Sequence, residues 1–153
     1  MAAIESAEVQ DLMGRWWFSY DEGHFEVLTS LLAPDAHFTC RTDSGTTSYE
    51  DFVRADYSGR DTIMEWQTHH RLHSPYPLRH NSTNVHVVNR SDESATFASY
   101  IHVTQITASG VTALSSGIVR GSVRRSDDGL RITVLHLVLD TMLSDVYLTV
   151  KAR

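Results

Sequence analysis

The chain has 153 residues, 41% hydrophobic and 21% charged, with a formal net charge of −6. This length predicts one domain over residues 1–153, and the negative charge argues against nucleic-acid or membrane partners, because phosphate groups bind clustered Lys and Arg. No apolar run approaches the roughly 20 residues of a membrane span, and the N-terminus lacks the pattern of a secretory signal, so a cytoplasmic location is expected.

The first half of the chain has the hydrophobic period of helices. Steps of three and four between apolar residues predict the first helix, which ends beside Asp21 and Gly23. The predicted elements are helices at 5–20, 24–33 and 49–58 and a strand at 36–41. Residues 59–78 indicate only a short helical piece around Trp66, before two prolines make the chain extended.

From residue 80 onward the hydrophobic period changes to two, which is typical of strands. Strands are predicted at 80–89, 95–107, 111–125 and 130–141. An Asp-Gly pair at 128–129 is a strong hairpin signal. Helices followed by a strand meander predict the α+β class, with helices covering one face of a curved sheet.

Two short stretches carry a family resemblance. Residues 20–28, YDEGHFEVL, with LLAPDA at 31–36, form an acid–loop–helix segment, and residues 78–85, LRHNSTNV, begin a strand on His80. With the order of elements, they resemble the SnoaL-like branch of the nuclear-transport-factor-2-like superfamily, which includes scytalone dehydratase, a dehydrochlorinase and bile-acid dehydratases. The resemblance implies a cone-shaped fold, with three N-terminal helices on a mostly antiparallel sheet and an apolar pocket between them.

The same resemblance implies a catalytic pair. In the dehydratases of this branch, an acid at the position of Asp21 orients a histidine at the position of His80, which removes a proton from the substrate without metal or cofactor. Such a pair can act as a general base, because the carboxylate fixes the histidine tautomer and leaves the other ring nitrogen free to accept a proton. Tyr20 is a candidate hydrogen-bond donor to substrate, or else a core aromatic. Cys40 stands where scytalone dehydratase-like enzymes place a tyrosine, so their two-tyrosine water clamp is not expected.

Four further residues are candidates for contact with substrate. Trp17 and Trp66 would form pocket walls, although a core position also suits Trp17. His102 and Arg120 lie on predicted strands and would bind a carbonyl or carboxylate oxygen if they faced inward. Strand alternation favours an outward position for Arg120.

The histidines at 69, 70 and 73 invite a metal hypothesis, since positions 69 and 73 are one helical turn apart. No His-Glu-x-x-His pattern occurs, and the neighbouring Pro75 favours an irregular surface segment, so no metal site is predicted. Cys40 is interpreted as a packing residue. His136 lies in an apolar strand and would be either a core residue or part of a subunit interface.

Several functions stay open at this stage. The leading hypothesis is a cofactor-independent lyase of the dehydratase type, acting on a hydrophobic, cyclic small molecule. The alternatives are a non-catalytic binding or assembly module of the same fold, a polyketide cyclase and a ketosteroid-type isomerase. The apolar strand at 134–139 predicts a homo-dimer or homo-trimer joined through the sheets.

Overall fold

A six-stranded sheet with helices packed on it forms the part of the chain that the computed structural model describes, residues 3–144. The helices are α1 (Ser6–Asp21), α2 (Phe25–Leu31), α3 (Glu50–Val53) and α4 (Arg60–Leu72). The strands are β1 (Leu32–Thr42), β2 (Ala55–Ser58), β3 (Leu78–Arg90), β4 (Ser94–Thr107), β5 (Gly110–Ser126) and β6 (Gly129–Leu139). The predicted α+β class is confirmed. None of the described helices is long and apolar enough to cross a bilayer.

The strand order is β2-β1-β6-β5-β4-β3, and every neighbouring pair is antiparallel except β1 with β6. The meander β3 to β6 follows the predicted strands to within two residues at each end. The parallel pairing places β1, the first strand in chain order, beside β6, which comes last in chain order among the six strands. The N-terminal helices therefore lie over the same sheet that the C-terminal half of the chain builds.

Helix α1 packs along β3 and so sets the position of the first candidate residue. Its buried residues recur at helical spacing: Val9, Leu12, Met13, Trp16, Trp17 and Tyr20. At its start the Glu5 backbone N–H donates to the Glu8 carboxylate at 2.9 Å. At its end Gly23 has φ +69, a left-handed conformation that suits glycine and stops the helix. Asp21, the last residue of α1, thereby lies beside the beginning of β3.

Two predictions for residues 49–78 are wrong. The helix predicted over 49–58 stops at Val53, and residues 55–58 instead form β2, an edge strand paired with β1. The segment interpreted as a short helical piece in an irregular region is the 13-residue helix α4. Gly59, with φ +89, forms the junction between β2 and α4. Residues 3–144 thus contain four helices, where three helices and a short helical piece were predicted.

Candidate active site

Asp21 and His80 are hydrogen-bonded to each other. The Oδ1 atom of Asp21 lies 2.6 Å from Nδ1 of His80, and its Oδ2 atom accepts the His80 backbone N–H at 2.8 Å. The side chains are 5% and 12% exposed, respectively, so water screens this contact little. Because a carboxylate can only accept here, Nδ1 carries the hydrogen. Nε2 is left as the basic nitrogen of a neutral His80.

Two aromatic side chains fix the plane of the His80 ring. The Trp17 indole stacks on it, with centroids 4.8 Å apart and planes 7° apart. The Tyr20 ring meets it nearly at a right angle, at 5.1 Å and 89°. Both come from α1, one turn apart and just before Asp21. A single helix end thus supplies the acid and both aromatic contacts that orient the histidine.

Arg71 of α4 binds the backbone of Asp21. Its Nε and Nη2 atoms donate to the backbone carbonyl of Asp21 at 3.0 and 2.9 Å, and Nη1 donates to the carbonyl of Pro75 at 3.2 Å. The Arg71 residue is 6% exposed. The guanidinium therefore ties the end of α1 to the end of α4, and it satisfies a carbonyl that the helix end leaves unpaired.

His80 lines a cavity of about 350 Å³ between the helices and the sheet. Six aromatic residues contribute to its wall: Trp17, Tyr20, Phe38, Tyr49, Phe52 and Trp66. Tyr49, Phe52 and Leu114 are each between 44% and 48% exposed and mark the side on which the cavity meets solvent. Among the described residues that line the cavity, none is Lys, Arg, Asp or Glu. This volume and lining suit an uncharged small molecule.

Tyr20 and His70 form a second polar pair on the cavity wall. The Tyr20 hydroxyl lies 2.5 Å from Nδ1 of His70, which belongs to α4. Burial raises the pKa of the Tyr20 hydroxyl, so it stays protonated. Burial, with a smaller contribution from His80, lowers the pKa of His70 to about 4, so this imidazole is neutral near pH 7. The pair therefore offers hydrogen bonds but no charge.

The structure brings five of the seven predicted site residues together. Asp21, His80 and Tyr20 are in mutual contact as described above, and Trp17 and Trp66 both line the cavity. The Trp66 ring stacks on His70 at 4.5 Å and packs against Phe38 at 5.3 Å.

His102 and Arg120 do not line the cavity, so their candidate role in binding substrate there is wrong, and Arg120 has the outward position that strand alternation favours. On β4 the residues on either side of His102, Ile101 and Val103, line the cavity, so His102 points away from it and is exposed. Arg120 lies on the outer face of the sheet, in a groove with Tyr100 and His136. Alternation along the strands places both side chains on the face opposite the cavity.

Sequence reasoning missed Gln67 and His70 as cavity residues. Both lie on α4, whose buried positions Ile63, Met64, Gln67 and Arg71 follow helical spacing. The apolar residues of this segment alone do not show its full helical period, because Gln67 and Arg71 occupy two of the inward positions. The neighbouring His69 and His73 stack on each other at 4.1 Å, away from the cavity, and the described residues contain no group of three metal-ligating side chains.

Cys40 lies on the cavity wall and His136 lies on the opposite face of the sheet. Cys40 is buried and lines the cavity, and burial raises the pKa of its thiol to about 12, so it is protonated at neutral pH. His136 is half-buried on the outer sheet face, where its Nδ1 lies 2.6 Å from the Thr39 hydroxyl. Burial and the nearby His37 lower the pKa of His136.

The family model of the SnoaL-like domain matches residues 2–136. The chain belongs to the SnoaL-like domain family. No curated protein matches this SnoaL-like chain.

Three solved structures illustrate the fold of this SnoaL-like domain. An NTF2-like protein with a cystatin-like fold from Novosphingobium aromaticivorans is 18% identical, with 96% of this chain and 88% of that chain covered and a TM-score of 0.73. The beta subunit of benzoate 1,2-dioxygenase from Burkholderia mallei is 21% identical, with 96% and 99% covered and a TM-score of 0.71. A protein from Catenulispora acidiphila in complex with S-DNPA is 26% identical, with 87% and 91% covered and a TM-score of 0.66. The predicted nuclear-transport-factor-2-like fold is confirmed.

Proposed function

We propose that the protein is a cofactor-independent lyase that removes water, or a comparable leaving group, from an uncharged, hydrophobic, cyclic small molecule. The observation that carries this proposal is the 2.6 Å hydrogen bond between Asp21 and His80 in the wall of an apolar cavity. An oriented imidazole with one free nitrogen is a general base suited to neutral pH. The S-DNPA complex of the Catenulispora acidiphila protein supports the use of this fold for holding a small molecule.

The proposed reaction needs one proton and one leaving group. Nε2 of His80 takes a proton from a carbon next to a carbonyl group. The electron pair of that C–H bond forms a carbon–carbon double bond as the C–O bond to the neighbouring hydroxyl breaks. The proton held by His80 then joins the departing hydroxide to give water. Asp21 stabilises the imidazolium during the interval, as a buried carboxylate does in other histidine bases.

Other cavity residues have supporting roles in this proposal. Trp17 and Trp66 hold the ring of the substrate. The Tyr20 hydroxyl accepts a hydrogen bond from Nδ1–H of His70 in this proposal and donates its own hydrogen to an oxygen of the substrate. A cavity with few polar groups strengthens the attraction between Asp21 and the charged form of His80. Abstraction of a proton next to a carbonyl is also the first step of isomerisation, so the leaving group on the substrate decides the outcome.

A panel of uncharged cyclic β-hydroxy ketones of one to three rings tests the proposal. Wild-type protein is expected to accelerate the appearance of the conjugated product, read by its ultraviolet absorbance, for at least one compound. His80→Gln keeps a polar side chain of similar reach but removes the base, and it is expected to abolish the acceleration. Loss of water at equal rates with both proteins would refute the proposed chemistry and favour a binding module.

We also propose that the chain forms a homo-dimer or homo-trimer through the outer face of the sheet. This face carries Val88 and Tyr100, each 56% exposed, beside the half-buried Ile118 and Val134. Apolar residues on an uncovered sheet face favour pairing with a second copy of the same face. The interface leaves the cavity free, because the cavity lies on the opposite face.

A charge placed on this face is expected to break the oligomer. Light scattering of the wild type at about 10 µM, a concentration at which specific interfaces are normally occupied, should give two or three times the mass of the chain. Tyr100→Glu should give the monomer mass, because an unpaired carboxylate cannot be buried in the interface without a large cost. Leu72→Glu is the matched control, since Leu72 is 69% exposed on α4, away from the sheet. A monomeric wild type, or Tyr100→Glu with the wild-type mass, would contradict the proposal.

A further inference from the structure

Gln67 is a buried polar residue whose side chain has no hydrogen-bond partner among residues 3–144. It is 3% exposed, it lies on α4, and it lines the cavity beside Trp66. No hydrogen bond to its side-chain amide occurs among residues 3–144, although the amide has two N–H groups and one acceptor oxygen. Neither amide atom is among the fully enclosed unpaired atoms of the described residues, so the amide faces the open space of the cavity. Because buried polar groups are nearly always hydrogen-bonded, an amide in this position is available to a ligand.

Two more polar atoms on the same wall lack partners. Nε2 of His70 and Nε1 of Trp17 are both buried and make no hydrogen bond within the described part of the chain. His70 follows Gln67 by three residues, so both side chains lie on one face of α4. Both atoms belong to residues that line the cavity, as Gln67 does; the other enclosed unpaired atoms of the described residues, on Trp16, Arg60 and Thr112, lie outside the cavity lining.

The position of Gln67 relative to the Asp21–His80 pair follows from successive contacts. The His80 ring meets Tyr20, the Tyr20 hydroxyl meets His70, and Gln67 lies almost one helical turn before His70, about 5 Å along the axis of α4. Gln67 and His80 therefore line the same cavity, with Tyr20 and His70 between them in this series of contacts. A ligand of two fused rings can place one end at His80 and the other end at Gln67.

We infer that Gln67 is the second anchor of the ligand, and that it hydrogen-bonds a carbonyl or hydroxyl oxygen at the end of the molecule away from His80. This inference rests on the proposal that the cavity binds an uncharged cyclic molecule. An amide can donate to a carbonyl and accept from a hydroxyl, so it fits neutral ketones and phenols. With no cation on the described cavity wall, a carboxylate in that place would have no ion-pair partner. Gln67 is then a residue that determines specificity, not one that takes part in proton transfer.

Calorimetric titration with a pair of non-reacting probes tests the inference. The probes are 1-tetralone, which has a carbonyl on two fused rings, and tetralin, which has the same rings without it. Wild-type protein is expected to bind 1-tetralone about five- to tenfold more tightly than tetralin, the usual net effect of one hydrogen bond in an apolar site. In Gln67→Leu, which has nearly the same shape without the amide, this preference should fall to about onefold, with tetralin affinity retained. An unchanged preference, or no binding of either probe by the wild type, would overturn the inference.

Thermal unfolding supplies a readout that needs no ligand. If the amide has no partner in the free protein, Gln67→Leu should unfold at the same temperature as the wild type or at a higher one. A clear drop in the unfolding temperature would show that the amide has a structural partner, and would also overturn the inference. Because 1-tetralone carries no leaving group, its binding is measured without turnover, so the binding result is distinct from success or failure of the proposed lyase chemistry.

Discussion

Asp21→Asn is expected to lower turnover of a dehydrated panel compound about 10²- to 10⁴-fold, an effect in the range of losing an oriented general base. Both carboxylate oxygens accept hydrogen bonds, one from Nδ1 of His80 and one from its backbone N–H. An asparagine has only one acceptor oxygen, so its NH₂ group must face one of these two donors or push His80 into the other tautomer. The measurement is the steady-state rate of product formation for wild type and variant at equal concentration.

Glu22→Gln provides the matched control for that comparison. Glu22 is the neighbouring acid, and its carboxylate pairs at 2.9 Å with Arg79 outside the cavity. Neutralising it should change turnover less than twofold, roughly what a surface ion pair contributes. Equal losses in Asp21→Asn and Glu22→Gln, or full turnover in Asp21→Asn, would contradict the role assigned to the Asp21–His80 pair.

Arg71→Met is expected to lower the free energy of unfolding by about 2–3 kcal/mol, the cost of leaving buried hydrogen-bonding groups unpaired. The guanidinium donates twice to the Asp21 carbonyl and once to the Pro75 carbonyl, and methionine can satisfy neither. Methionine preserves most of the length and apolar stem of arginine, so the loss reports on the hydrogen bonds. Chemical denaturation followed by tryptophan fluorescence measures it.

Arg79→Met is the matched control for Arg71→Met. Arg79 makes an exposed ion pair with Glu22, and its side chain is 48% exposed, so its removal should cost at most about 1 kcal/mol. Arg71→Met should also reduce turnover, because Asp21 loses its support from α4, whereas Arg79→Met should not. Similar unfolding curves for the two variants would show that Arg71 does not stabilise the end of α1.

The sequence predicts the Asp21–His80 pair better than it predicts the residues of α4 that line the cavity. Asp21 follows a strongly periodic helix and His80 begins a period-two strand, and the family motifs identified both residues. The wall of α4 was missed because its inward positions include Gln67 and Arg71, which break the apolar stripe that a hydrophobic pattern detects. A hydrophobic pattern does not distinguish a buried polar residue from an exposed one.

In the sheet, some strands could be predicted from the sequence and some pairings could not. The four strands of the meander could be predicted because alternation and turn residues are local signals. The parallel pairing of β1 with β6 joins residues about 97 positions apart, for example Thr39 with His136, and no local pattern specifies it. Strand β2 has only four residues, too few for a period to be visible. The face on which His102 lies could not be chosen from the sequence, because that choice requires knowing which side the helices cover.

If the proposed lyase chemistry holds, the arrangement around Asp21 separates proton transfer from substrate binding. The acid, the base and the two rings that orient the base all come from the end of α1 and the start of β3, whereas Trp66, Gln67 and His70 come from α4. Substitutions on α4 that leave Arg71 in place can therefore alter the size and polarity of the chamber while the proton-transfer groups keep their geometry. A lineage with this design can acquire a new substrate by changing a few residues of one helix.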